Sequence, residues 1–170
     1  MADIGERLRL AMRRVPSSVT VVTAAARGEI RGITVGSFTS VSLDPPLISF
    51  NVAREASMHR VIVGANNFAV HLLADTQADL STVFAEPHRV GEEQFEKIDH
   101  TMGEFGVPVL VDVAVVFHCV VWAVHPAGDH SLVIGRVRGV DKGEDTGPLV
   151  YFDRSYHHLG DRLPIRVWPI

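Results

Sequence analysis

Apolar and polar positions alternate with different periods along this chain, and the changes of period mark its elements. Ile4, Leu8, Met12 and Val15 recur at helical spacing. With Asp3 as an N-cap and Pro16 as a stop, they predict an opening amphipathic helix. Ser18 to Ala25, SVTVVTAA, is β-branched and predicts a strand. Arg27-Gly28-Glu29 makes a turn, and Ile30 to Val35 returns as the second arm of a hairpin. Asp44-Pro45-Pro46 is a rigid turn, followed by an apolar strand from Leu47 to Val52. Ser57 is a good N-cap for a short helix that Gly64 or Asn66 would end. Phe68 to Leu73 predicts another strand. Asp75 or Thr76 then caps a helix holding Leu80, Val83 and Phe84. Residues 86 to 108 are polar and predict short helices and loop. Val109 to Val124 predicts a long strand, straight or broken, and His125 to Asp129 a turn. Ser131 to Val140 pairs back across that turn, and Leu149 to Phe152 is a last short strand. The tail LPIRVWPI, residues 163 to 170, is apolar enough to dock on something.

About seven strands joined by hairpins, with few and short helices, argue for a mostly β antiparallel barrel rather than a doubly wound sheet. The 170 residues predict one domain, 1–170, with a real core. Hydrophobic residues make up 46% and charged residues 21%, a globular balance. A net charge of −4 without a basic stripe argues against nucleic-acid binding. No apolar run reaches the roughly 18 residues of a membrane helix. The opening MADIGERLRL carries Glu6, Arg7 and Arg9 where a secretory signal is apolar. The single Cys119 excludes an internal disulfide and fits a reducing cytoplasm.

The stretch from Gly32 to Asn51, GITVGSFTSVSLDPPLISFN, sets Thr34, Ser37, Thr39, Ser40, Ser42 and Gly36 among Ile33, Val35, Phe38 and Val41. That mixture suits a wall packed on one side and offering short hydrogen-bonding groups to a flat polar ligand on the other. The alternative is a Ser/Thr-rich edge strand and loop. The familiar nucleotide and hydrolase motifs are absent: no GxGxxG, no Walker A loop, no GxSxG. No CxxC or HExxH points to zinc. His118 and Cys119, adjacent on a strand, face opposite sides and could not easily hold one metal. Cys119 reads as a core residue, and His157-His158 as a solvated pair. Gly128-Asp129-His130 sits in a tight turn, where His130 offers a hydrogen bond or a charge and Asp129 an orienting carboxylate. A plain Asx-type turn with a surface histidine is the other reading. Arg54 beside the capped helix at Ser57 could bind a phosphate, or be an ordinary cap beside a surface arginine. Tyr151, Phe152 and Tyr156 could stack on a planar ring or fill core.

Five motifs occur in order: RRVPSSVTVVTA at 13–24, GITVGSFTSVSLDPPLISFNV at 32–52, FAVHLLA at 68–74, GDHSLVIGRV at 128–137 and YFDRSYHHLG at 151–160. Through them nearly the whole chain resembles the short-chain flavin reductases, the reductase components of two-component flavin-dependent monooxygenases. The resemblance implies an FMN-binding split β-barrel with Greek-key connections and a homodimer with flavin near the interface. It implies that Thr34, Val35, Gly36 and Ser37 border the flavin ring, that Ser40, Val41 and Ser42 continue the site, and that Phe50 and Asn51 lie under the ligand. Arg54 and Ser57 would hold the phosphate. His130 would be the catalytic position beside the nicotinamide, with Asp129 next to it and Tyr156 closing that side. Gly36 stands where family members often carry Ala or Ser, and His71 where Asn is common, so no flavin contact is carried onto His71. The implied activity is hydride transfer from NADH or NADPH to FMN or FAD, with reduced flavin diffusing to a separate monooxygenase. The alternatives on the same fold are a non-catalytic flavin carrier and a flavin oxidase of the pyridoxamine-phosphate oxidase type. The preferred nicotinamide stays open, since Arg136 and Arg138 near the turn can be read either way.

Overall fold

The computed structural model describes residues 3–87, 91–143 and 145–162. In chain order the elements are α1 (Ile4–Met12), β1 (Ser17–Ser18), β2 (Thr20–Ala26), β3 (Glu29–Val35), β4 (Thr39–Leu43), β5 (Pro46–Ala53), α2 (Ser57–Gly64) and β6 (Asn67–Leu72). Then come α3 (Ala78–Ala85), a short 3₁₀ turn (Gly91–Gln94), β7 (His100–Met102), β8 (Pro108–Leu110), β9 (Val115–Ala127), β10 (His130–Lys142), β11 (Val150–Phe152) and β12 (Ser155–His157). The tail at 163–170 lies outside the described residues.

Seven strands form one antiparallel sheet in the order β3-β2-β6-β9-β10-β5-β4. The chain leaves one edge at β3 and re-enters at the other edge as β4, a Greek-key type of connection. The sheet curls: Val35 on β3 shares one core with Ile48 and Phe50 on β5. The ladder stays open between β3 and β4, so the barrel is split. Inside it Phe50 meets Phe68 edge-on, with ring centroids 5.6 Å apart. Gly135 makes room for this pair, since a Cβ there would lie 2.2 Å from Phe68 Cζ. A register shift between β9 and β10 falls at that same glycine. A second core lies on the other face, where Phe84 and Phe95 pack against Val21, Ala69 and Leu110. Here the exposed edge of β3 is covered by one side chain. Gln94 accepts from the Gly32 N–H and donates to the Gly32 carbonyl, both at 3.0 Å, as a neighbouring strand's peptide would.

Several local expectations change. Thr39–Leu43 forms an edge strand, as the alternative reading of that stretch allowed, and β1, β7 and β12 are further short ladders. The strand expected over 109–124 is broken at Asp112, whose φ is 56°, and its second part runs on to Ala127. The turn expected over 125–129 tightens accordingly to Gly128 and Asp129. Ser57 is the first residue of α2 rather than its cap, Ala56 standing there instead with no side-chain bond. Gln77, not Asp75 or Thr76, precedes α3, and its Oε1 accepts from the Ala74 N–H at 2.9 Å. Among the described residues the stripe of α1 stays largely uncovered: Ile4 is 73% exposed and Leu8 62%.

Candidate functional site

Gly36 and Ser37 link the two edges of the sheet, and the candidate residues gather on either side of them. Ser37 Oγ accepts the Asn51 N–H at 2.9 Å, so its own O–H stays free to donate outward. Thr34 Oγ1 donates to the Ser81 carbonyl at 2.7 Å, which leaves it lone pairs to accept with. Ser81 Oγ in turn lies 2.9 Å from the Tyr156 hydroxyl. A recess of about 240 Å³ is lined by Ser17, Thr34, Gly36, Ser81 and the two tyrosines Tyr151 and Tyr156. Beyond Gly36 a larger groove of about 560 Å³ opens between α1, Ser37-Phe38 and the β11–β12 turn.

Gly36 is needed here for a reason the sequence does not show. A Cβ at this position would sit 2.8 Å from Ser17 Oγ. The close neighbour of Gly36 is therefore a side chain of the protein itself.

The second group lies at the tip of the β9–β10 hairpin. His130 pairs with Ala53, two residues beyond Asn51 on β5. The Arg54 N–H donates to the Asp129 carbonyl at 2.9 Å, which ties the tip to the approach to α2. His130 Nδ1 is 2.8 Å from Asp129 Oδ1. An ionised carboxylate only accepts, so Nδ1 carries the hydrogen and Nε2 is left free. The hydrogen bond from His130, and then its charge, holds the Asp129 carboxyl below the usual carboxylate range. His59, which the sequence reading missed, stands beside this group with Nε2 2.9 Å from Ser131 Oγ.

The sequence-predicted residues thus divide. Thr34, Gly36, Ser37, Asn51 and Tyr156 meet along the wall, and Arg54, Asp129 and His130 meet at the hairpin tip, with Ser57 opening the helix beside it. Ser40, Val41 and Ser42 lie along β4, exposed or half-exposed, with Val41 at a register shift against β5. Phe50 does not reach the wall with its side chain, whereas Val35 lines the recess beside Thr34 and Gly36. Phe50 is fully buried and Val35 is 7% exposed, both within the barrel core. Strand alternation explains this, since Asn51 faces outward and its neighbour Phe50 must face in. Tyr156 lies on the Thr34–Gly36 side of the wall, not at the hairpin tip. Ser17 and Ser81 were missed. Ser17 sits inside the first motif, while Ser81 carries no sequence signal.

The remaining candidates are structural. Cys119 is a core residue, and burial pushes its thiol up to about 12. His118 faces the other way and lies 2.8 Å from Asp141 Oδ2. No cluster of three metal-ligating side chains occurs among the described residues. No helix among them is long and apolar enough to cross a membrane.

The chain is similar to known proteins over most of its length. The family model described as flavin reductase like domain matches residues 12–160. A probable flavin reductase of Rhizobium meliloti is 42% identical over 131 residues, which are 76% of this chain and 41% of that protein. The chain therefore spans under half the length of that relative. The reductase component of a Thermus thermophilus 4-hydroxyphenylacetate 3-monooxygenase is 37% identical over 164 residues, covering 96% of this chain and 98% of the relative. The Streptomyces globisporus NADH:FAD oxidoreductase SgcE6, solved with NAD and FAD fragments, superimposes with a TM-score of 0.86 at 30% identity, covering 94% and 96% of the two chains.

Proposed function

The chain belongs to the flavin reductase like family, and on that premise we propose that it is an NAD(P)H-dependent flavin reductase. It takes hydride from NADH or NADPH onto FMN or FAD and releases reduced flavin to a separate monooxygenase component. The observation that carries this is the continuity of the Gly36–Ser37 wall, through Asn51 and β5, with His130 at the hairpin tip. The wall fits a flavin edge chemically: Ser37 presents a free O–H and Thr34 free lone pairs, matching carbonyl and N–H groups on one ring. Bound flavin supplies the hydride-accepting ring. The protein's part is to hold two rings face to face, so catalysis is mainly proximity and orientation.

The wider assignment follows from the same reading. Thr34, Val35, Gly36, Ser37 and Asn51 border the flavin with their side chains or backbone, Phe50 contributes backbone only, and Ser40, Val41 and Ser42 continue the wall. Arg54 and Ser57 serve the phosphate. Residues 1–170 act as one domain. A homodimer is supported by the uncovered apolar stripe of α1 and by Leu43 and Trp122, 88% and 53% exposed. A reducing cytoplasm is supported by the lone buried thiol.

The experiment is aerobic oxidation of NADH and of NADPH with FMN or FAD in excess over protein. Many turnovers that depend on added flavin are expected. Flavin binding without turnover would make the protein a carrier, and flavin retained through dialysis would favour the oxidase alternative.

A narrower test probes the wall. Gly36→Ala should weaken flavin binding about threefold in a fluorescence titration, because Ser17 must rotate away from the new methyl. Removing the obstructing hydroxyl with Ser17→Ala in the same chain should restore most of the loss. A double variant as weak as the single one would mean that Gly36 meets the ligand itself.

A further inference from the structure

The groove beyond Gly36 is charged in a way that the flavin wall does not require. Three arginines line it, Arg9 from α1, Arg13 capping the end of α1 and Arg154 from the β11–β12 turn, and Asp153 is its one lining carboxylate among the described residues. The chain as a whole carries −4, so this cationic surface runs against the overall balance. Arg9 and Arg13 are four residues apart and leave α1 on the same face. Arg154 is exposed on the opposite wall, in a turn where Asp153 and Arg154 both have positive φ, 45° and 68°. Ion pairing inside the groove is slight: Arg9 reaches Glu6 only at 4.0 Å, with both side chains more than half exposed. The neighbouring Arg14 is used differently, lying over the Phe152 ring at 5.5 Å.

The C-terminal end of a helix normally repels an anion. Here its carbonyls are occupied. Arg14 N–H donates to the Ala11 carbonyl, Val15 N–H to that of Met12, and Asp153 N–H to that of Arg13 at 3.1 Å. The last bond also ties the two walls together. Phe38, Tyr151 and Phe152 add aromatic surface to the same groove.

Resting on the reductase reading, we propose that Arg9, Arg13 and Arg154 determine nicotinamide specificity by receiving the 2′-phosphate of the donor, so that NADPH is preferred over NADH. The groove starts at Gly36 and Ser37, where the flavin wall ends, so a donor whose nicotinamide lies on the flavin can lay its adenosine half there. A ribose 2′-phosphate brings about two further negative charges that only guanidinium or ammonium groups can match. Arg136 and Arg138, the arginines the sequence suggested, do not line this groove. They lie six and eight residues along β10 from His130, about 20 and 26 Å away at strand rise.

The test compares the wild type with an Arg9→Ala, Arg13→Ala, Arg154→Ala triple variant. Arg9 and Arg154 are exposed and Arg13 is half-buried outside both cores, so the substitutions leave the cores intact. The wild type should show a higher kcat/KM for NADPH than for NADH, and the NADPH/NADH ratio should fall about tenfold in the variant. By calorimetry the wild type should bind adenosine 2′,5′-diphosphate more tightly than 5′-AMP, and the variant should lose that difference. Equal use of the two donors by the wild type, or a preference that survives the triple substitution, overturns the assignment while leaving the reductase reading intact. Absence of turnover with either donor, alongside arginine-dependent binding of the 2′,5′-diphosphate, overturns the reductase reading and keeps the anion site.

Discussion

Lowering the pH from 7 to about 4 should cost this protein roughly 3 kcal/mol of folding stability through one side chain, His71. His71 is fully buried on β6. Its Nδ1 lies 3.0 Å from the Val21 carbonyl and must donate there, while Nε2 accepts the Leu110 N–H at 3.2 Å. The ring is therefore a neutral tautomer held at both ends. A second proton would bury a charge and set two N–H groups against each other at Leu110. Burial accordingly drives the pKa from 6.5 to about 4, with the Val21 bond opposing and the charge of His118 assisting. In the unfolded chain the same ring takes a proton near 6.5. As pH falls, the unfolded state binds that proton first, so stability is full above about 6.5 and is lost down to about 4. Glu29 behaves in the same direction at lower pH. Its carboxyl is held below the usual range chiefly by its hydrogen bond to Arg60, with Arg31 adding to it. Urea unfolding at several pH values, for the wild type and for His71→Asn, isolates the histidine. The variant should be weaker at pH 7 by about 1–3 kcal/mol, because at least one buried bond is lost. Its stability should also fall less between pH 7 and 4. Parallel curves for the two proteins would refute the assignment of this pH dependence to His71.

Replacing His130 by alanine should lower kcat/KM for the nicotinamide donor about a hundredfold, with flavin affinity changed less than about twofold. Hydride transfer from one ring to another requires no proton at this position, so the loss is one of orientation. His130 is half-exposed at the hairpin tip, and Asp129 fixes its Nδ1 hydrogen. Nε2 is the free group that the donor's amide can meet. The wall at Gly36 and Ser37, proposed to hold the flavin, is built from other elements and should not change. Asp129→Asn should give an intermediate loss, since an amide orients the ring less firmly. A fluorescence titration for flavin and steady-state kinetics for the donor separate the two effects. Equal losses in both would show that His130 supports the flavin site and not the nicotinamide.

Much of this architecture was legible beforehand, for identifiable reasons. The β2–β3 hairpin follows from SVTVVTAA, a Gly28 turn and a β-branched return. The β9–β10 hairpin follows from two long apolar runs around Gly128. Strand β4 was legible only as an alternative, because Thr39 to Leu43 is hydroxyl-rich and exposed on most of its length, the pattern of a loop as much as of an edge strand. The order of motifs along the chain carried the family resemblance, and with it the roles proposed for Thr34, Ser37, Asn51 and His130. It could not separate Phe50 from Asn51, which the strand alternation sends to opposite faces.

The sequence by itself determined the elements, their antiparallel pairing by hairpins and the hydroxyl-rich wall, because these depend on residues within about ten positions of one another. The tertiary structure decided which groups remain free to act. Thr34 is spent as a donor on the Ser81 carbonyl, 47 residues away, and the hydroxyls of Ser81 and Tyr156, 75 residues apart, are spent on each other. Gly36 answers to Ser17, and Arg154 comes to face Arg13 only because the Asp153 N–H reaches the Arg13 carbonyl. A hydrogen-bond donor can be used once, and what uses it is set by folding contacts that no local pattern records.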